Sequence, residues 1–401
     1  MRLLIVDECI APGGVETLRL NLLPELAKLC EEIVWMLPLP YGEILRSRIC
    51  QRNIPNLVIE NLYWPRGSAS QIWAAALRRA SRVPAFKDRA TRLMRKSVDQ
   101  RIRAIAQKHR SVCCLSTFVF SQPPPASGLP LAGFVCDVNP VLPDWIRNNI
   151  VHWSSTAQAI LGISEFTRQD LCSLAPASKP KIHAVPIAPP VLSAPLSASV
   201  CRNDFYFPAA ANEHKGHLVL FQACLELARR GLDFSLVLSG PGTENFLAGH
   251  QFDKPAMEEA RRFLEQNREE LNGSVTIAGN VPATEVEGIY NSTRCVVLPS
   301  RYEGFGLPLV EALQRGKEVV CSDIPPYREQ LARYDLFDRV QLIPPGDVAR
   351  LADAMEQILR RVSAPRFDPA ELNRRLERWT WADVAQSCYD HLRSISEPSP
   401  V

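Results

Sequence analysis

The chain has no uninterrupted apolar run of the roughly 18 residues that a membrane-spanning helix requires. Its first residues, Met1-Arg2-Leu3-Leu4-Ile5-Val6, meet Asp7 and Glu8 too early for a secretory leader, so a cytoplasmic protein is expected. Cysteine is present but unpatterned: twelve are scattered, with one adjacent pair, Cys113-Cys114, and no Cys-x-x-Cys. That excludes the common zinc and disulfide frameworks and reads as small buried residues in a reducing compartment. Charge of one sign is also lacking. With 46 Lys and Arg against 43 Asp and Glu the net charge is +3, which demands no nucleic-acid partner, and none is expected. After the first apolar run comes Pro12-Gly13-Gly14 instead of Gly-x-Gly-x-x-Gly, so a nicotinamide-dependent oxidoreductase has only general periodicity in its favour.

What is present is an ordinary globular composition, 46% hydrophobic and 22% charged, on 401 residues. That length exceeds one typical core and predicts two domains. Strand-like runs alternate with helix-like ones, the pattern of parallel sheets built from βαβ units. Leu3 to Val6 precedes a Gly13-Gly14 loop, a helix through Leu18, Leu22, Leu26 and Leu29, and a strand at Ile33 to Leu37. A second start follows at Phe205 to Phe207, with a polar loop Asn212-Glu213-His214-Lys215-Gly216, a helix His217 to Arg230 ended by Gly231, and a strand Phe234 to Leu238. Further strands are expected at Val275 to Ala278, Cys295 to Leu298 and Glu318 to Cys321. Between the halves, Val185 to Ser199 is rich in Pro, Ala and Ser and reads as a connection. The expected fold is α/β, two Rossmann-like domains whose parallel sheets face each other across a cleft. Ligands then bind at the carboxyl ends of strands, where the loops at Gly14, Lys215, Gly240 and Glu303 fall.

Residues 299 to 311, Pro-Ser-Arg-Tyr-Glu-Gly-Phe-Gly-Leu-Pro-Leu-Val-Glu, are the most informative segment. Pro308 suits a first helical turn because its missing N–H needs no partner there, so Leu307 to Gln314 reads as a helix ended by Gly316. Gly304 and Gly306 allow close backbone approach. A carboxylate, free N–H groups and a positive helix end share one small volume, which suits an anionic, hydroxylated ligand. The same spacing also fits a glycine-containing turn with two solvated glutamates.

Between Arg78 and Arg110 there are twelve Lys or Arg against Asp88 and Asp99, with Leu93, Ile102, Ile105 and Ala106 at near-helical spacing. A basic amphipathic helix near Trp64 and Trp73 fits an anionic membrane surface or a phosphorylated acceptor, or else a solvated helix face.

The segment Glu303 to Glu311 resembles the Glu-x7-Glu signature of the retaining family 4 glycosyltransferases. Gly13-Gly14-Val15-Glu16 resembles that family's N-terminal glycine loop, Gly162 to Thr167 the stretch leading to its second domain, and Lys215-Gly216 its phosphate-binding loop. Ser239-Gly240-Pro241-Gly242, Ile277 to Val281 and Ser322 to Glu329 follow in the same order. The resemblance implies a GT-B fold, with an acceptor-binding domain over 1–185, a connection at 186–199, a nucleotide-sugar domain over 200–375, and a C-terminal helix in 376–401 crossing back to the first domain. It also implies site roles: Lys215 for the donor diphosphate, with backbone N–H groups at Gly13, Gly14 and Gly240 and the helix end at Gly304, Phe305, Gly306 and Leu307; Glu303 for the donor sugar; Glu311 for the ribose; Val281 for the base. Glu303, Lys215 and Asp137 are the expected catalytic residues. Neither a metal nor another cofactor is expected, in keeping with the absence of Asp-x-Asp.

The expected donor is a uridine diphosphate sugar, with guanosine diphosphate mannose second, and the expected acceptor a saccharide or lipid-linked saccharide. Contact with an anionic membrane through 78–110 would make the protein peripheral at the inner membrane face. Two departures from the family are Ala210, where many members carry Arg, and Cys136, where the strand end often reads His-Asp. Asp137 fits either sugar orientation or capping of the next turn. The competing classes are an epimerase or phosphorylase of the same fold, and a binding protein without catalysis.

Overall fold

The structure, a computed structural model, describes residues 1–9, 13–38, 43–64, 87–190, 203–247, 249–271, 273–361 and 369–397. They divide into two compact units, Met1–Ala188 with Thr380–Val401, and Pro189–Trp379.

The first unit holds a seven-stranded sheet of β1 (Arg2–Val6), β2 (Glu32–Leu37), β3 (Leu57–Asn61), β4 (Cys113–Ser116), β5 (Leu131–Val135), β6 (Ala159–Gly162) and β7 (Ile182–Ala184), in the order β3-β2-β1-β4-β5-β6-β7. Every neighbouring pair is parallel. Leu3, Leu4, Ile5 and Val6 are all fully buried, because helices cover both faces of a parallel sheet and leave no solvent side. The chain ends in this unit with the helix Trp381–Ser396, which packs on the helix Gly14–Leu29 and opens on a capping box of Thr380 and Asp383.

The second unit holds β8 (Asn203–Pro208), β9 (Leu236–Ser239), β10 (Val275–Gly279), β11 (Thr293–Leu298), β12 (Glu318–Ser322) and β13 (Val340–Ile343), in the order β10-β9-β8-β11-β12-β13. All pairs are again parallel. The order reverses between β8 and β11, the kind of switch point at whose carboxyl ends open α/β sheets bind ligands.

Strand β9 starts two residues later than its apolar run suggests. Gly231, at φ 72°, reverses the chain after the helix His217–Arg229, and Leu232 N–H bonds back to the Leu227 carbonyl, so this closure consumes the residues before the strand. Of the proline-rich connection, 191–199 lies outside the described residues, as do 78–86 of the basic stretch and Trp73. The rest of the basic stretch forms the helix Lys87–Lys108. Among the described residues no helix is long and apolar enough to cross a membrane.

Candidate functional site

Because β8 and β11 are neighbours, with Phe205 opposite Cys295, the Lys215 loop and the loop of residues 299–306 leave the sheet side by side. Two contacts join them. Arg301 N–H donates to the His214 carbonyl at 2.7 Å, and Gly216, at φ 83°, lies against Pro299 so closely that any Cβ would collide with the Pro299 carbonyl. Glycine is therefore required at 216 for both conformation and space.

This stitching brings Lys215 to Glu303. Lys215 Nζ donates to the two Glu303 oxygens at 2.8 and 2.7 Å, and both side chains are mostly buried. Ser300 Oγ donates to Glu303 Oε1 at 2.8 Å and the Tyr327 hydroxyl to the same oxygen at 3.3 Å. Burial pushes the Glu303 carboxyl up, but Lys215 and the Ser300 hydroxyl outweigh it, and the pKa lies below the ordinary value. Burial and the Glu303 charge hold the Tyr327 phenol well above its usual range, so it stays a donor. His214 is pushed down to about 4 by burial and then by Lys215, and is neutral near pH 7.

The loop closes on the helix Leu307–Gln314. Gly306 precedes it at φ 85°, and a Cβ there would enter the Tyr327 ring. Gln330 Nε2 donates to the Phe305 carbonyl, so the helix Pro325–Tyr334 holds the turn from behind. Glu311, the fifth residue of the Leu307–Gln314 helix, accepts from the Tyr290 hydroxyl at 3.1 Å. Burial raises the Glu311 pKa, against the opposing pull of Arg315 and Tyr290. Two carboxylates eight positions apart, Glu303 buried and Glu311 half-buried, are thus driven in opposite directions, one held ionised by a lysine and one made easier to protonate.

Gly240 has a structural reason of its own. At φ 146° it follows β9, and the backbone of Ala209 and Ala210 passes where a Cβ would sit. Ala210 is thus part of the packed contact between the loops after β8 and β9, and its carbonyl accepts from Asn212 N–H at 2.8 Å. Val281 lies in the turn between β10 and the helix Ala283–Ser292, half-buried.

Gly13, Gly14 and Asp137 belong to the other unit. Gly13, at φ 85°, precedes the helix Gly14–Leu29, with open space where a Cβ would be. Beneath that turn Asp7 accepts from Trp35 Nε1 at 2.9 Å and from Thr117 N–H and Oγ1 at 2.9 and 2.8 Å, and Arg19 lies 3.3 Å from it. Arg19 Nη2 also donates to the Cys9 carbonyl at 2.9 Å, which fixes the end of β1 to the helix. Asp137 Oδ1 accepts from Asn139 N–H at 3.2 Å, the capping geometry foreseen as one of its two readings. Burial and the Asp137 charge push the Cys136 thiol up to about 12, which leaves it protonated and unreactive.

Sequence reasoning missed Ser300, Tyr327, Tyr290 and Arg315. Ser300 stood inside the informative segment, three residues before Glu303. Among the described residues no group of three or more His, Cys, Asp or Glu is placed to hold a metal ion.

Two parallel α/β units, each with a reversal in strand order, define the class of the fold. Residues 196–371 match the family described as Glycosyl transferases group 1. Over 202 residues, half of this chain, the sequence is 25% identical to the serotype-specific mannosyltransferase WbdA of Escherichia coli, and that match spans 22% of WbdA's length. A glycosyltransferase from Rickettsia africae superposes with a TM-score of 0.68 at 15% identity, covering 99% of each chain. The Anabaena protein HepE, solved with UDP and glucose, superposes at 0.64 with 14% identity, covering 98% of this chain and all of that one. The two structural likenesses show the GT-B fold, two parallel-sheet α/β units.

Proposed function

We propose that the chain is a retaining glycosyltransferase of the Glu-x7-Glu type, moving a hexosyl group from a nucleoside-diphosphate sugar to a saccharide or lipid-linked saccharide. The observation that carries the reading is the buried Lys215–Glu303 pair set at the mouth of the helix Leu307–Gln314.

The chemistry follows from these groups. The bond from the anomeric carbon to the phosphate oxygen breaks and its electron pair leaves with the diphosphate. Lys215 commits two N–H groups to Glu303, and an ammonium has three, so one serves a phosphate oxygen while the helix end adds a positive partial charge. The acceptor hydroxyl forms the new bond on the same face, and its proton passes to the departing phosphate oxygen. Glu303 Oε2, bonded among the described residues only by Lys215, has lone-pair capacity for a donor-sugar hydroxyl. Glu311 takes the ribose, Gly240 and Val281 line the diphosphate and base, and no metal is invoked. The roles of Gly13 and Gly14 at the phosphates and of Asp137 at a sugar rest on the resemblance.

The similarity to WbdA, a mannosyltransferase, supports a mannosyl donor; a uridine diphosphate hexose is the alternative. Peripheral membrane contact has its own support. On the helix Lys87–Lys108, Arg95 pairs with Glu8 and Asp99, and Arg101 and Lys108 pair with Glu60, while Arg89, Arg92, Lys96 and Arg103 lie exposed beside Leu93. The cations are thus sorted into a set neutralised by Glu8, Asp99 and Glu60 and an exposed, outward stripe, the arrangement an anionic surface attracts.

Thermal unfolding of the purified chain with UDP, GDP, UDP-glucose and GDP-mannose tests the donor site. A rise in Tm with at least one nucleotide, lost in Glu303→Ala for the sugar-bearing ligand, is expected; no shift with any of them contradicts the proposal.

A further inference from the structure

Glu311 is held by an assembly that the donor reading leaves unexplained. Tyr290, on the helix Ala283–Ser292 that enters β11, donates its hydroxyl to Glu311 Oε2 on the helix beyond that strand. Among the described residues no donor reaches Glu311 Oε1. The Tyr290 ring is 1% exposed and clamped: the Tyr206 ring meets it edge-on at 4.9 Å and the Arg315 guanidinium lies over it at 4.5 Å. Arg315 is itself fixed, by Glu287 at 2.5 and 3.2 Å and by a bond to the Glu311 carbonyl at 2.8 Å. Tyr206 in turn shares a hydrogen bond of 2.6 Å with Ser239, the residue before Gly240.

We propose that Tyr290 is a positioning residue that sets the Glu311 carboxylate for the ribose of the nucleotide donor, and so selects ribonucleotides; this rests on the ribose role given to Glu311 above. A glutamate side chain has three rotatable bonds, and a ligand that fixes them on binding loses affinity to their entropy. One phenolic donor on Oε2 removes that freedom in advance and leaves Oε1 turned to receive hydroxyls. The clamp matters because a donor group that itself moved would position nothing. The groups facing the carboxylate are Tyr290, Arg315 and, farther off, Glu287 and Tyr206; removing the Tyr290 donor takes away one of the two influences that counter burial at Glu311.

The test compares binding of UDP and GDP with their 2′,3′-dideoxy forms to the full chain, as wild type, Tyr290→Phe, Glu311→Gln and the double variant. The wild type should prefer the ribose forms. Tyr290→Phe should lose roughly tenfold of that preference, the scale of one hydrogen bond to a charged group, and the double variant should lose no more than Glu311→Gln alone. Tyr334→Phe, which removes an equally buried hydroxyl bonded to the Trp379 carbonyl, should keep the wild-type ratio. In Tyr290→Phe the acid loss of nucleotide affinity should also move to higher pH. If Glu311→Gln abolishes the preference and Tyr290→Phe retains it, the positioning role is overturned while the ribose reading stands. If Glu311→Gln retains the preference, the ribose reading falls and the inference with it.

Discussion

Lys215 and Glu303, 88 positions apart in sequence, form a two-armed hydrogen-bonded ion pair at 2.7 and 2.8 Å, between the joined loops that follow two adjacent parallel strands, β8 and β11. A buried pair of this kind is weak as a stabilising device, since the cost of desolvating both charges offsets much of their attraction. Its place at a helix mouth points to work on a ligand, and it makes the site sensitive to losing either partner.

Lys215→Ala should therefore do two things. It removes the cation proposed for the diphosphate, weakening nucleotide binding, and it strands the Glu303 carboxylate, costing about 3–5 kcal/mol if the charge stays buried. Equilibrium unfolding should show that loss shrinking at acid pH. The sign is fixed by the direction of the shift: Glu303 has a folded pKa below its unfolded value, so its stabilisation is full above the unfolded value and disappears as pH falls through the folded one. A variant as stable as wild type at neutral pH would contradict the pairing.

Nucleotide affinity should carry an acid limb set by Glu311. Its folded pKa is raised, so protonation begins at a higher pH than for an ordinary carboxyl, and acceptance of ribose hydroxyls weakens as pH falls through that value. Calorimetric titration of a nucleoside diphosphate over a pH series should show the limb in wild type and its absence in Glu311→Gln, with about 1.5–3 kcal/mol of binding lost in that variant. His214, at about 4, is neutral across the physiological range, so His214→Asn should leave the profile between pH 5 and 8 unchanged.

The outward stripe on the helix Lys87–Lys108 gives a separable prediction. Replacing Arg89, Arg92 and Lys96 together by Gln should reduce co-flotation with phosphatidylserine vesicles by roughly 3 kcal/mol in partition free energy, at about 1 kcal/mol per cation. Arg101→Gln, which removes an inward cation paired with Glu60 and set 5.3 Å over Trp64, should act on stability instead. No flotation of the wild-type chain would remove the membrane contact.

The legible part of this protein was its local chemistry. Gly306 and Pro308 marked the start of a helix, and Lys215 and Glu303 were singled out as separate motifs, because turn residues and helix signals act over a few positions. The partners that hold those motifs act through topology. Tyr327 reaches Glu303 because β11 and β12 are neighbours, and Tyr290 reaches Glu311 because their helices flank one strand. No spacing rule spans such distances. The same holds for the basic stretch, where Arg95 finds Glu8 from 87 positions away and Arg101 finds Glu60 from 41. Composition showed an excess of cations there; only the fold shows which of them are already paired.

The central claim is transfer of a sugar with retention at the Lys215–Glu303 site. Its most direct test is the product formed from GDP-mannose and UDP-glucose with saccharide acceptors, followed by proton NMR of the new anomeric signal. The account predicts nucleoside diphosphate release with at least one donor, an α-glycoside from the α-linked donor, and loss of both in Glu303→Ala. A β-glycoside, or transfer undiminished in Glu303→Ala, would contradict it.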